Sequence, residues 1–245
     1  RRRPACGPLL RAAPMPPVVF VAPRFLENPN RYLRASTALD DVTVSVVSED
    51  PEAAIPAPLR ARIAAHYRIA DSFDGAQITT ATRALRRHIG RVDRLAGMLE
   101  QLQLPMAEAR DALGIEGLRT ETARNFRDKD RMKAVLRAQG VAVARSALVR
   151  DAAGLRAFIR QVGLPVIVKP QAGLGTRATH RIERGADLDA LLKQGEGPTA
   201  SRPLQVEEFV RAREFPCETV TVRGNPVWRS GTRYFPTPLE AVENP

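Results

Sequence analysis

Short apolar runs recur along the first half of this chain, each followed by an amphipathic stretch, and this alternation limits its fold more than any other feature. Val18-Val19-Phe20-Val21-Ala22, closed by Pro23, reads as a buried strand. Residues 42–48 alternate and are rich in β-branched side chains, so they predict a second strand, ended by Asp50-Pro51. Residues 67–70 and 91–97 predict two more. Between the runs, residues 28–39 predict a helix with Asn28 as N-cap and Pro29 in the first turn. Residues 56–66, 75–89 and 105–113 predict further helices, the last stopped by Gly114. Such alternation predicts a parallel sheet with helices on its faces, placed at residues 15–120. Ala22-Pro23-Arg24-Phe25 stands after the first strand where a dinucleotide-binding fold carries G-x-G-x-x-G, which argues against that fold. Residues 1–14 lack periodicity, so Met15 is read as the start and the preceding residues as a disordered leader.

The second half begins with a predicted helix over residues 120–139, stopped by Gly140. Residues 141–149 predict a strand, and Asp151 caps a helix reaching residue 161. After the turn Gly163-Leu164-Pro165 comes the apolar run Val166-Ile167-Val168-Lys169-Pro170, a buried strand that delivers a lysine at its exit. A small-residue loop to Thr176 leads into a short extended segment at 178–182 and a helix at 185–193. Residues 204–210 predict a strand, and residues 215–222 and 226–229 a hairpin about Arg223-Gly224-Asn225-Pro226.

Composition excludes several classes. The 245 residues suffice for one large domain or two modest ones. No apolar run reaches the ~18 residues of a membrane span. The start Arg1-Arg2-Arg3-Pro4 imitates a signal peptide, but Arg11, Pro14, Pro16 and Pro17 break any apolar core behind it, so a cytoplasmic protein is expected. Two cysteines, Cys6 and Cys217, and three scattered histidines, His66, His88 and His180, offer neither a disulfide framework nor zinc spacing. The net charge of +11 invites a nucleic-acid reading. The charge is spread along the chain, however, and aromatics are only 5%, so no stacking platform is evident. Only Lys129, Lys133, Lys169 and Lys193 are lysines among 38 basic residues. An ammonium and a guanidinium are not interchangeable at a phosphate, so lysines in an arginine-rich chain draw attention.

Three segments carry candidate chemistry. Lys169 at a strand exit is followed at once by Gly173, Gly175 and Thr176, whose backbone N–H groups suit phosphate oxygens. The rival reading is an ordinary turn with a surface lysine, and no Walker motif is present. Gln205-Val206-Glu207-Glu208-Phe209-Val210 is a strand ending in paired acids, with Glu214 beyond. Alone, such a pair is more often a solvated surface. Asn125 to Lys133 is a charged stretch containing Asp128-Lys129, which alone reads as an amphipathic helix.

In this order the three segments resemble the ATP-grasp superfamily, most nearly biotin carboxylase, carbamoyl phosphate synthetase and their amino-acid ligase relatives. The matching stretches are Arg127-Asp128-Lys129, Gly140-Val141-Ala142, Leu164 to Pro170, and Val206-Glu207-Glu208-Phe209-Val210 with Glu214-Phe215. The resemblance spans roughly residues 120–235 and implies an α/β chain. A Rossmann-like pre-ATP-grasp domain at 15–120 would precede the first part of an α+β ATP-grasp domain at 121–245. It implies that Lys129 and Lys169 bind ATP phosphates and that Gly173, Gly175 and Thr176 form a lid over them. Glu207 and the backbone of Glu208, Phe209 and Val210 would hold adenine, and Glu214 would take the ribose. Glu100 sits where relatives place an acid facing the cleft. Two departures stand out: the lid is less glycine-rich than in biotin carboxylase, and no glycine precedes Glu214 in Val210-Arg211-Ala212-Arg213.

The chemistry implied is ATP- and Mg²⁺-dependent activation of a small-molecule carboxylate as an acyl-phosphate, followed by attack of an amine or similar nucleophile. The family's magnesium-holding acids and catalytic arginine come after the hairpin, beyond Pro245. The expectation is therefore that these 245 residues alone bind nucleotide weakly and do not turn over. A non-catalytic nucleotide-binding module and a basic nucleic-acid-binding protein are the alternatives. Neither a membrane nor a nucleic-acid partner is expected, and oligomeric state is open, a homodimer being one arrangement.

Overall fold

The structure is a computed structural model, and it describes residues 16–171 and 178–236. The chain divides into two compact units, residues 1–124 and 125–245. The leader assigned to residues 1–14 lies outside the described residues.

The first unit has the α/β architecture that the alternation predicts. Its strands are β1 (Pro17–Val21), β2 (Thr43–Ser48), β3 (His66–Arg68) and β4 (Arg94–Gly97), in the order β3-β2-β1-β4. All pairings are parallel, with Val18 opposite Val44 and Val19 opposite Leu95. Helices α1 (Glu27–Thr37), α2 (Ala57–Arg60), α3 (Gly75–Ile89) and α4 (Gln103–Leu113) cover the two faces. Period-two alternation within β1 sorts its side chains. Val19 and Val21 join Ile78, Leu85 and Met106 in one core, while Phe20 and Ala22 join Leu33 and Leu59 in the other. Burial on both faces is why the strands read as nearly continuous apolar runs. Each fully buried Val, Ile or Leu contributes about 1.5–3 kcal/mol.

Local chemistry sets the helix boundaries. Asp74 caps α3, accepting from the N–H groups of Ala76 and Gln77. Gly75 follows because a Cβ there would stand 2.5 Å from Glu108 Oε2 and 3.2 Å from Pro105 O. That absence lets α3 and α4 approach. The helix expected over 56–66 is shorter, because residues 64 and 65 already bond to β2, through Ala64 N–H to Val44 O and Val46 N–H to Ala65 O.

The second unit is built on an antiparallel sheet of β5 (Ser146–Val149), β6 (Val166–Pro170), β7 (His180–Ile182) and β8 (Leu204–Glu208), in the order β5-β8-β6-β7. Helices α7 (Ala152–Val162) and α8 (Gly185–Lys193) bury Leu155, Phe158, Leu188 and Leu191 against Val149, Val166, Val168, Ile182, Leu204 and Val206. The helix expected over 120–139 is two helices, α5 (Thr120–Arg127) and α6 (Lys129–Ala138). Asp128 breaks it by capping α6 with its carboxylate, which takes the N–H groups of Asp130 and Arg131. The strand expected over 141–149 is confined to β5. Val141 instead returns its N–H to Leu136 O after Gly140, whose φ of 73° suits a helix end. A hairpin of β9 (Cys217–Val222) and β10 (Asn225–Gly231) turns at Arg223-Gly224, both at positive φ. Among the described residues no helix is long and apolar enough to cross a membrane.

One titratable group is tied into the first unit's sheet. His66 Nε2 lies 2.7 Å from the Ser48 hydroxyl. Burial pushes its pKa below the ordinary 6.5, with the nearby Arg68 charge acting the same way and Glu52 opposing. The neutral ring's contribution is complete above pH 6.5, where the unfolded chain is also neutral, and is lost as pH falls below that value. The melting temperature should therefore fall between about pH 7.5 and pH 5.5, and His66→Gln should flatten that fall in a pH series of thermal melts.

Candidate functional site

The alternation that builds the apolar core of the second unit leaves the opposite sheet face polar. On β8, Leu204 and Val206 enter the core, so Gln205 and Glu207 share the other side. On β6, Val166 and Val168 are core, and Lys169 lies on the polar side, in register with Gln205. On β7, Ile182 is core and Arg181 polar-side.

Glu207 is the centre of this face. Lys169 Nζ lies 2.9 Å from its Oε2 and Lys133 Nζ, from the second turn of α6, 3.2 Å from its Oε1. The side chains of Lys133 and Glu207 are only 9% and 11% exposed, that of Lys169 23%. Glu207 Oε1 lacks a directed hydrogen bond, so its contact with Lys133 is ionic. A buried carboxylate requires such partners, because desolvating an unpaired charge costs several kcal/mol.

The start of α6 is tied to the exit of β6. Gln171 Nε2 donates to Asp128 Oδ2 at 2.7 Å. The N–H of Lys129 and its Nζ reach Gln171 O at 3.4 and 3.5 Å. Lys133 and Lys169 thus share Glu207, and Lys129 is held against Gln171, whose amide is tied to Asp128.

Gln205 is fully buried, yet neither amide atom has a hydrogen-bond partner among the described residues. Leaving a buried amide unpaired costs about 1–3 kcal/mol, which a ligand edge or water on this face would offset.

The remaining predicted residues divide. The Glu208 carboxylate is committed to Arg145, taking its backbone N–H at 2.7 Å and its guanidinium. These bonds hold it below the usual carboxylate range, the backbone one foremost. The Glu208 and Phe209 N–H groups bond to Arg145 O and Pro165 O. Val210 is exposed, and among the described residues its N–H has no partner. The Phe209 ring lies 4.2 Å under the Arg181 guanidinium. Glu214 is exposed in the segment between β8 and β9, and Glu100 opens a short 3₁₀ turn of the first unit. Gly173, Gly175 and Thr176 lie outside the described residues. Sequence reasoning assigned no role to Lys133 or Gln205. Lys133 was visible as one of few lysines, one helical turn after Lys129. Gln205 was visible as a polar residue flanked by apolar ones in a strand.

Residues 128–220 match the family model for the carbamoyl-phosphate synthase L chain, ATP binding domain. The chain is 26% identical over 199 residues to an L-arginine-specific L-amino acid ligase of Bacillus subtilis, covering 80% of this chain and 47% of that protein. It is 38% identical over 101 residues to a D-alanine–D-alanine ligase of Frankia casuarinae, covering 40% of this chain and 26% of that protein. Among solved structures it is similar to the N5-carboxyaminoimidazole synthetase of Staphylococcus aureus complexed with ADP. The TM-score is 0.64 at 14% identity, covering 89% of this chain and 54% of that one, a likeness of fold. The chain spans about half the length of the first relative.

Removing Lys133 tests the centre of the site. Lys133→Met should destabilise the protein by about 2–3 kcal/mol in urea unfolding, less than a fully orphaned charge because Lys169 remains. Adding Glu207→Gln should recover more than half of that loss.

Proposed function

We propose that this chain, whose residues 128–220 match the ATP binding domain of the carbamoyl-phosphate synthase L chain, is of ATP-grasp type and holds ATP on the lysine-bearing sheet face of its second unit. The protein of which these residues form part would use that ATP to activate a carboxylate. A carboxylate oxygen attacks the γ-phosphorus and ADP leaves. A neutral amine then attacks the acyl carbon, inorganic phosphate departs with the electrons of the acyl C–O bond, and the nitrogen gives up one proton to water.

The observation that carries the reading is the arrangement of Glu207 between two lysines. Lys169 is the more exposed of the two and stands at the strand exit, so it can turn to a phosphate oxygen. Lys133 is buried and remains as the counter-ion of Glu207. In this way the site can accept an anion without leaving a buried carboxylate unpaired. Lys129, held at the start of α6, is the second phosphate ligand of the proposal. Glu207, the unpaired amide of Gln205 and the open Val210 N–H offer polar groups for an adenine edge, and Glu214 for the ribose. Gly173, Gly175 and Thr176 would cover the phosphates. The names of the relatives, an L-amino acid ligase and a D-alanine–D-alanine ligase, agree with the reaction class.

Magnesium is the usual companion of ATP phosphates. Among the described residues no three His, Cys, Asp or Glu side chains come together as metal ligands. No step above runs through a metal ion.

Thermal shift and calorimetry with Mg-ATP test the reading. Ligand at about a hundred times its Kd stabilises by about 2.7 kcal/mol. Lys169→Ala should weaken ATP binding at least about tenfold, a loss of about 1.4 kcal/mol. Lys169→Arg should recover only part, because a planar fork replaces a point charge. Equal ATP affinity in wild type and Lys169→Ala would sink the phosphate assignment.

A further inference from the structure

The nucleotide proposal gives Glu207 to the base and Lys169 to a phosphate, yet here the two side chains bind each other. Lys169 Nζ lies 2.9 Å from Glu207 Oε2, a hydrogen-bond length for a charged pair. Lys133 Nζ stands 3.2 Å from the other oxygen, Oε1. Both oxygens of the carboxylate are thus engaged by ammonium groups, and the Glu207 side chain is almost wholly covered.

The two lysines are not equivalent. Lys133 comes from α6 and is as deeply buried as Glu207. Lys169 is the more exposed and stands one residue before the end of β6, with its charge on a flexible four-carbon stem. Its partner in register on β8 is Gln205, while Glu207 lies opposite Ile167. The Lys169 ammonium therefore reaches Glu207 along the diagonal of the β6–β8 pair. The Gln205 amide oxygen, in register with it, receives no donor. Charge selects this contact rather than register, so a group of higher negative charge can compete for the ammonium.

We infer that the Lys169–Glu207 ion pair is a latch across the proposed nucleotide site, released only by a ligand that carries both an anion and a hydrogen-bond donor. A nucleoside alone must displace an ammonium with a neutral N–H group. A phosphate alone draws Lys169 away and leaves Glu207 Oε2 without a donor. A nucleotide whose base bears an amino group satisfies both partners at once, because a carboxylate can only accept. Lys133 stays on Oε1 throughout, so Glu207 is never an unpaired buried charge. The inference rests on the nucleotide reading of this site and adds its regulation. Base and phosphate compete with the two halves of one ion pair, so each helps the other to bind, and the coupling is reciprocal.

Equilibrium dialysis on the whole chain tests the latch, with ATP, adenosine, purine riboside and inorganic tripolyphosphate as probes. Lys169→Met should act in opposite directions on two of them. ATP should bind at least about tenfold more weakly, and adenosine at least about fivefold more tightly, because its amino group no longer competes with an ammonium. Purine riboside, which lacks that amino group, should gain nothing. In the wild type, millimolar tripolyphosphate should tighten adenosine binding at least about fivefold, and in Lys169→Met it should have no such effect. Adenosine affinity unchanged by Lys169→Met overturns the latch, and so does a gain that purine riboside shares. Should Lys169→Met lower the melting temperature, the tripolyphosphate titration of the wild type decides alone, and no tightening of adenosine there overturns the latch. Weaker ATP binding in Lys169→Met with adenosine unchanged removes the latch and leaves the nucleotide reading standing. ATP binding indifferent to Lys169→Met sinks that reading and the latch with it.

Discussion

A carboxylate buried between two ammonium groups organises the second unit. Glu207 cannot stay ionised on an occluded sheet face without partners, and Lys133 and Lys169 supply them from α6 and β6. The contact joins a helix to a sheet through charge rather than through apolar area. The Asp128 carboxylate reinforces the join by capping α6 and accepting from Gln171. Lys133, Lys169 and, through Gln171, Lys129 are thereby tied to one end of the sheet. The opposite face has no such demands and is filled by Leu155, Phe158, Leu188 and Leu191. One face supplies cohesion, the other a cationic surface with an unpaired amide at its centre.

The first unit solves a different packing problem. Its parallel sheet is covered by helices on both sides, so neither face can hold a ligand. What remains accessible is the edge where the strands end, and there the cavity bounded by Arg24, Glu49 and Phe73 is found. The two units place their accessible chemistry according to sheet type. The antiparallel sheet carries its charged groups on a face, and the parallel sheet, covered on both faces, carries them at its carboxyl edge.

Much of this was legible in the residues. The apolar runs at 18–22, 42–48 and 166–170 correspond to β1, β2 and β6, and Gly114 and Gly163 end helices at positive φ. Legibility failed where a local pattern competed with a tertiary bond. Residues 120–139 carry a continuous helical pattern, yet the Asp128 side chain caps a second helix and binds Gln171. Residues 141–145 look extended, but Val141 turns back to Leu136 and only Ser146 to Val149 find a partner in β8. The pair Glu207-Glu208 looked like one acidic feature. Neighbouring residues on a strand point to opposite faces, so Glu207 meets lysines and Glu208 clamps Arg145.

The sequence by itself determined the class of each unit and the polarity of each sheet face. Both follow from the period of the apolar residues, a property of near neighbours on the chain. It also marked Lys129, Lys169 and Glu207, because their motif types stand in a recognisable order. Only the tertiary structure decided which charges meet. Lys133 and Glu207 are far apart in sequence, and no local rule pairs them. Their contact exists because α6 docks over the polar face at the height of β8, where burial makes an unpaired charge too costly to leave.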